Sequence, residues 1–205
     1  MIPELLTGML VLLFGVSHSF LATSYVKNIV PLSQKNFRLL YVIIGAISLL
    51  IVEYFIGILA NDPNRLEYES IINPSAEILT IVSYLSIIGV FIIAGSLLQS
   101  HPLKFIGLTS ENYEKDLETS YFYKFSRHPM YFGALVMFVP ILFITNNLVL
   151  FTKYFGYSLY FILGAILEEN RMSRIFPNYD IMRSRGFLFP WKLSHLQILL
   201  LIKNN

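Results

Sequence analysis

Three groups of residues pair reactive side chains with a spacing that gives them work to do. The first is Ser126-Arg127-His128-Pro129-Met130-Tyr131-Phe132-Gly133. Pro129 fits the first turn of a helix, where its missing N–H costs nothing. A helix opening there presents free backbone N–H groups and the positive end of its dipole. Arg127 and His128 add donors beside them, and such a set can hold a carboxylate or phosphate. The plainer reading is an interfacial basic residue ahead of a helix start, and spacing alone does not choose between the two.

The second group is Glu168-Glu169, read as the close of another helix. Carboxylates at a helix C-terminus oppose its dipole at about 0.3–1 kcal/mol each, so two together call for a partner. Glu168 can pair with Arg171 at i+3. Glu169 points about 100° away, with no equally plain local partner, and a cofactor hydroxyl or amine fits that role. The third group is His18-Ser19. A lone intramembrane histidine is expensive enough to suggest function, although a bond to a carbonyl across a helix interface explains it too. His18 and His128 lack a His or Glu partner at ligand spacing on one helix, which argues against a metal or haem site.

The elements that carry these groups are membrane spans. The chain is 55% hydrophobic and 14% charged, against about 25% charged in soluble domains. Residues 5–26, 39–52 and 78–103 contain no Asp, Glu, Lys or Arg, and residues 129–167 contain only Lys153. A bilayer core takes roughly 20 apolar residues per helix. The first three runs fit one helix each, the second reaching Ala60 past Glu53 and the third ending near Leu98. The last run fits two helices with a turn at Thr145-Asn146-Asn147, since Asn favours turns, and the fifth helix then runs from about Leu148 to Leu167. The expected fold is an all-α integral membrane protein of about five transmembrane helices, with an N-terminal three-helix part (residues 1–98) and a C-terminal part (residues 99–205). From the turn, Pro129 is about 17 residues back and Glu168 about 22 on. At 1.5 Å rise the mismatch is only ~7 Å, so the hairpin should bring the Arg-His-Pro start beside the Glu-Glu pair.

Orientation follows from charge. Thirteen of the 15 Lys and Arg residues fall on one side of such a bundle, leaving Arg65 and Lys153 for the other. The positive-inside rule places the N-terminus and segment 61–75 outside and the C-terminus in the cytoplasm. The start Met-Ile-Pro-Glu lacks the basic flank of a signal peptide. Leu193–Ile202 is too short to span and reads as an interfacial helix. His195 reads as a surface residue and His101-Pro102 as a helix end. A net charge of +2 gives no reason to expect nucleic acid, and without cysteine there is neither a disulfide nor a thiolate ligand. No two of the 11 glycines are spaced G-x-G, so no dinucleotide fingerprint is present.

Arg127-His128-Pro129-Met130-Tyr131-Phe132-Gly133, one helical hairpin, then Leu167-Glu168-Glu169 and Tyr179 resemble the isoprenylcysteine carboxyl methyltransferase superfamily over roughly residues 100–191. That superfamily includes phospholipid and small-thiol methyltransferases. Phe14-Gly15-Val16-Ser17-His18-Ser19, Arg38-Leu39-Leu40-Tyr41 and Phe105-Ile106-Gly107-Leu108 look like its NnrU and methanethiol S-methyltransferase branch. The resemblance implies S-adenosylmethionine as cofactor. It places Arg127, His128, Pro129, Tyr131 and Gly133 at the cofactor, Glu168 and Glu169 across from them, and Tyr179 and Arg183 closing from the tail. Toward a small-molecule or lipophilic acceptor the catalytic residues expected are Arg127 and His18, since a nearby Arg or His helps a thiol with a pKa near 8.5 to ionise. Phe176-Pro177-Asn178-Tyr179 departs from the family's Phe-Gly-x-x-Tyr by one residue, and Met182 stands where a second Tyr is usual.

The function expected is a membrane methyltransferase that acts first on a thiol, with a lipid amine or prenylcysteine carboxylate as the next choice. A sterol-reductase-like enzyme would need more helices than 205 residues supply. A non-enzymatic NnrU-like accessory protein is the rival from another class.

Overall fold

The computed structural model describes residues 2–100, 102–106, 108, 120–176 and 179–189. The expected interfacial helix at Leu193–Ile202, His101, His195, Gly107 and Pro177-Asn178 fall outside these residues. The described chain is helical: α1 (Ile2–Leu21), α2 (Ser24–Ile29), α3 (Gln34–Ala60), α4 (Ala76–Gln99), α5 (Pro102–Phe105), α6 (Tyr121–Phe125), α7 (Pro129–Ile144), α8 (Leu148–Ile175) and α9 (Asp180–Arg183). No strand forms among the described residues; two isolated bridges pair Glu67 with Asn147 and Ser126 with Gly186.

α1, α3, α4 and α8 are long and apolar enough to cross a membrane. α7 is shorter, at 16 residues, or ~24 Å, against a hydrocarbon core of about 30 Å. Extended backbone at Thr145 and Asn147 continues it at one end. The fold is thus an all-α membrane bundle, with four full-length helices and one short one.

Local signals set the helix ends. Ser33, Ser75 and Asn147 accept N-terminal N–H groups of α3, α4 and α8, each satisfying a donor the helix cannot. Thr23 does the same for α2, so the charge-free run 5–26 is not one helix: α1 stops at Leu21 and the chain turns into a short second helix. Inside the spans, hydroxyls return their protons to the preceding turn. Thr7 donates to Pro3 O at 2.8 Å, Ser48 to Ile44 O at 2.7 Å and Ser96 to Ile92 O at 2.7 Å, which spares these three hydroxyls an unpaired proton inside the bilayer.

α4 and α7 meet through glycine. A Cβ at Gly133 would lie 2.8 Å from Gly89 O, and one at Gly89 would lie 2.5 Å from Gly133 O. Small residues let membrane helices approach this closely, where van der Waals packing rather than hydrophobicity drives association. Gly133→Ala should therefore cost about 1–3 kcal/mol of stability, read as a lowered thermal midpoint in detergent. An unchanged midpoint would show that the two backbones are not in contact.

α1, α3 and α8 form the other packing unit, around Val11, Val52, Ile56, Val149 and Tyr157. An ion pair sits within it. Lys153 Nζ lies 2.6 Å from Glu53 Oε2, and the Tyr157 hydroxyl donates to Glu53 Oε1 at 2.7 Å. Glu53→Gln leaves the Lys153 ammonium, 14% exposed, without its counter-charge. The loss expected is about 1–3 kcal/mol, measurable by thermal unfolding. Glu53→Leu with Lys153→Met should recover most of it, because an apolar pair replaces buried ions at little cost. A double variant no more stable than Glu53→Gln would contradict this.

One end of the bundle is stitched shut. Segment 61–75 lies on the α7–α8 turn: Tyr68 N donates to Asn146 O at 2.9 Å, Leu148 N to Leu66 O at 3.0 Å and Ile72 N to Phe143 O at 2.8 Å. Glu4 accepts from Leu66 N, and Asn147 Nδ2 reaches Ala60 O at 2.9 Å. The opposite end, where α1 stops and α7 starts, carries the polar groups with chemistry.

Candidate functional site

Pro129 occupies the first turn of α7, with His128 as the N-cap residue and no side chain capping the helix. The Ser126 hydroxyl supports the approach. It accepts from His128 N at 3.1 Å and donates to Leu188 O at 2.9 Å. Arg127 N donates to Gly186 O at 2.9 Å, and Gly186 N to Phe125 O at 3.2 Å. The tail after α8 thus runs back beside residues 125–128 and fixes how Arg127 and His128 leave the backbone.

α8 brings the carboxylates to the same place, but not at its end. The helix continues to Ile175, so Glu168 and Glu169 lie inside it. The helix-dipole cost expected at those positions does not apply, because it falls off beyond the last turn. Protein side chains hold both carboxylates instead. Glu169 Oε2 is 2.9 Å from His128 Nε2 and accepts from the Tyr179 hydroxyl at 2.8 Å. Arg127 Nε stands 3.4 Å from the same oxygen. Glu169 therefore has three protein partners, which corrects the expectation that it lacks one. Glu168 Oε2 is 3.7 Å from His128 Nδ1, its other oxygen is 3.5 Å from Arg171, and it bonds the Tyr131 hydroxyl. His128, 4% exposed, thus stands between the two carboxylates.

Aromatic rings wall the cluster. His128 packs edge-on against Phe187 at 5.2 Å and Tyr131 at 5.7 Å, and the Arg127 guanidinium lies over Phe187 at 5.5 Å. Gly164 makes room for Tyr131 beside α8, where a Cβ would sit 3.3 Å from its ring. Tyr179 is buried, and burial followed by the bond to Glu169 holds its hydroxyl above the usual phenol range. It therefore remains a donor at neutral pH.

The hairpin expected from sequence forms, and Arg127, His128, Tyr131, Glu168, Glu169 and Tyr179 gather in one cluster. Gly133 does not join them; it faces α4 and sets the α4–α7 approach. Arg183 is exposed and pairs with Asp180 at 3.3 Å, away from Glu169. His18 lies elsewhere, between α1 and α3. Its Nε2 is 2.6 Å from the Tyr41 hydroxyl, Phe14 stacks on its ring at 5.5 Å, and Nδ1 is buried without a hydrogen-bond partner.

Sequence reasoning missed Phe187 and Ser126 as an organiser of the turn. The apolar run Phe187-Leu188-Phe189 directly after Gly186, inside a basic tail, was the available signal.

The donor set suits a cofactor that carries both charges. Arg127 Nε is a buried N–H with no hydrogen-bond acceptor, although Glu169 is near enough to share charge. A carboxylate could accept from it, while Glu168 and Glu169 can accept from ammonium or hydroxyl groups. Among the described residues no group of three or more His, Asp or Glu is placed to hold a metal ion.

The fold and this cluster define a polytopic membrane protein with a polar site at one end of a helical hairpin. Residues 87–179, which run from α4 through Tyr179, match the phospholipid methyltransferase family. The matched segment, a little under half of the chain, is similar to a domain of that family, itself a member of the isoprenylcysteine carboxyl methyltransferase-like superfamily, and this similarity supports a membrane methyltransferase in general terms. No curated protein and no solved structure matches it.

Proposed function

We propose that the chain transfers a methyl group from S-adenosylmethionine to a small or lipophilic acceptor, with a thiol as the first choice. The observation that carries this reading is the convergence of Arg127 and His128 with Glu168 and Glu169 inside the matched segment. When bound, the cofactor supplies an electrophilic methyl group on a sulfonium. The protein's part is alignment and exclusion of water. Arg127 would take the carboxylate, and Glu168 and Glu169 would accept from amine or hydroxyl groups. Pro129, by opening α7 there, sets the direction of Arg127 and His128. Tyr179 would hold the tail over the site.

A thiol acceptor has an ordinary pKa near 8.5. Arg127 can favour its thiolate, and in the tautomer whose Nε2 donates to the Tyr41 hydroxyl the unpartnered Nδ1 of His18 would be free to take a proton. The second reading, a lipid amine, draws its support from the phospholipid methyltransferase match. The closed end formed by segment 61–75 would face outside and the cluster the cytoplasm, as the positive-inside rule requires. A reporter fused after Asn205 should then be active only in its cytoplasmic form, and cytoplasmic activity of one inserted in 61–75 would overturn that orientation.

The reaction is tested by supplying methyl-labelled S-adenosylmethionine to the purified protein in vesicles. One set holds dodecanethiol and the other phosphatidylethanolamine. Label in the thioether supports the first reading and label in the lipid supports the second. Label in neither, with no binding of the cofactor product, would leave an accessory protein.

A further inference from the structure

Between the His18–Tyr41 contact and the cluster around Glu169, one hydroxyl has a proton that no group among the described residues accepts. Tyr160 lies near the middle of α8, and its ring runs along α1. A Cβ at Gly15 would lie 3.0 Å from Tyr160 Cδ2, and the Ser19 hydroxyl donates to that of Tyr160 at 3.4 Å. From Gly15 to Ser19 is one turn, or ~6 Å of rise, so the ring reaches toward the end where α7 starts. A row of rings leads on from it: Tyr160 to Phe161 at 5.7 Å, Phe161 to Tyr131 at 5.9 Å and Tyr131 to His128 at 5.7 Å. On the other side Phe14 touches Tyr160 at 6.5 Å and His18 at 5.5 Å. Tyr160 thus stands between His18 and the cluster.

A single proton fills the line between two hydroxyl oxygens. Ser19 supplies it, so the Tyr160 O–H points elsewhere. At mid-span neither lipid nor water offers an acceptor, and an unspent donor there costs free energy until a ligand accepts from it. Such a donor discriminates among nucleophiles. A neutral amine has one lone pair, which must attack the methyl group, and a hydrogen bond from Tyr160 would occupy it. A thiolate or carboxylate has several lone pairs. It can accept from Tyr160 on one while another attacks.

We propose that Tyr160 positions the methyl acceptor by donating its hydroxyl proton to the nucleophilic atom, and that it thereby selects an anionic acceptor, thiolate or carboxylate, over an amine. The assignment rests on the methyltransferase reading in calling the bound molecule the acceptor. The apolar body of that molecule lies along the α1–α8 seam against Phe14 and Phe161, and its anionic atom meets Tyr160. Tyr160 keeps its own proton throughout. It binds and orients, and it takes no part in proton transfer.

The test is calorimetric titration of the full chain, in neutral maltoside detergent, with dodecanoate and separately with dodecylammonium. The two share a tail, and only the carboxylate can accept from Tyr160. Saturable binding of dodecanoate is expected. Tyr160→Phe deletes one oxygen and keeps the ring. It should weaken dodecanoate binding by about 10- to 150-fold, the range for a hydrogen bond to a charged group. Dodecylammonium binding, S-adenosylhomocysteine affinity and the thermal midpoint should stay at the parent values. Ser19→Ala removes the contact with α1 but not the donated proton, and it should bind dodecanoate like the parent. A Tyr160 that only ties α8 to α1 predicts instead that both variants lower the midpoint, with no loss specific to dodecanoate. That result, or the absence of saturable dodecanoate binding, overturns the proposal. With methyl-labelled S-adenosylmethionine, label in dodecanethiol or in dodecanoate identifies which anion is the acceptor, and Tyr160→Phe should raise its KM with kcat nearly unchanged. Label in phosphatidylethanolamine, undiminished in Tyr160→Phe, overturns the selectivity. The titration with S-adenosylhomocysteine separates the two ideas: Tyr160-dependent dodecanoate binding without it refutes the methyltransferase reading alone, and its binding without that dependence refutes the Tyr160 assignment alone.

Discussion

Glu169→Gln is expected to weaken binding of S-adenosylhomocysteine by about 10- to 150-fold. A hydrogen bond to a charged group is worth about 1.5–3 kcal/mol, and each 1.4 kcal/mol is tenfold. Glu169 is also the point where His128, Tyr179 and Arg127 meet, so its loss loosens the tail as well as the ligand contact. Two companion variants separate these effects. Arg127→Ala removes the buried guanidinium and should weaken binding to a similar degree. Arg127→Lys should recover only part, since an ammonium cannot make the paired contact. Tyr179→Phe deletes a single neutral donor and should cost only about fivefold, from roughly 1 kcal/mol. Parent-like affinity in both Glu169→Gln and Arg127→Ala would place the cofactor elsewhere in the protein.

His18→Ala carries the second large effect, and it falls on turnover. A positioned general base contributes typically about 10²–10⁴-fold. If His18 takes the acceptor's proton, kcat should drop on that scale while S-adenosylhomocysteine affinity stays near the parent value. The geometry makes this a sharp test. His18 is wedged between α1 and α3, with Tyr41 on Nε2 and Gly45 against its ring edge. A packing role predicts a lower thermal midpoint with kcat unchanged. That outcome would remove His18 from the chemistry and with it the main reason to favour a thiol.

Much of this fold was legible in the sequence because the membrane enforces it. A charge-free run of span length has few alternatives, and Pro129 and Asn147 mark the helix starts by their own chemistry. The end of α8 was not legible. Beyond Leu167 the chain turns polar, which ends the hydropathy signal, yet Glu, Arg and Met are good helix formers and the helix runs on to Ile175. Hydropathy reports where lipid stops, not where hydrogen bonding stops. The break after Leu21 was hidden for the opposite reason: residues 22–26 carry no charge, and only Thr23 as an N-cap separates α1 from α2.

The site divided in the same way. That the Arg-His-Pro start would meet the Glu-Glu pair followed from helix rise and turn position, and the 2.9 Å contact between His128 and Glu169 realises it. The partners of Glu169 did not follow, because Tyr179 arrives only when the chain folds back after Phe176. Gly133 stood inside a chemistry-bearing run, yet its neighbours come from α4, and no local pattern shows which helix a glycine faces. Arg183 was placed by resemblance alone, and its exposure shows that a basic residue in the right stretch need not reach the cluster.

Calorimetric titration of the parent protein with S-adenosylhomocysteine tests the central claim most directly. The account predicts saturable binding at one site per chain. It also predicts protection of the thermal midpoint that grows with ligand concentration, as for any ligand that binds only the folded state. Absence of measurable heat and of any shift in midpoint, from a protein whose spectrum and midpoint show it to be folded, would contradict it.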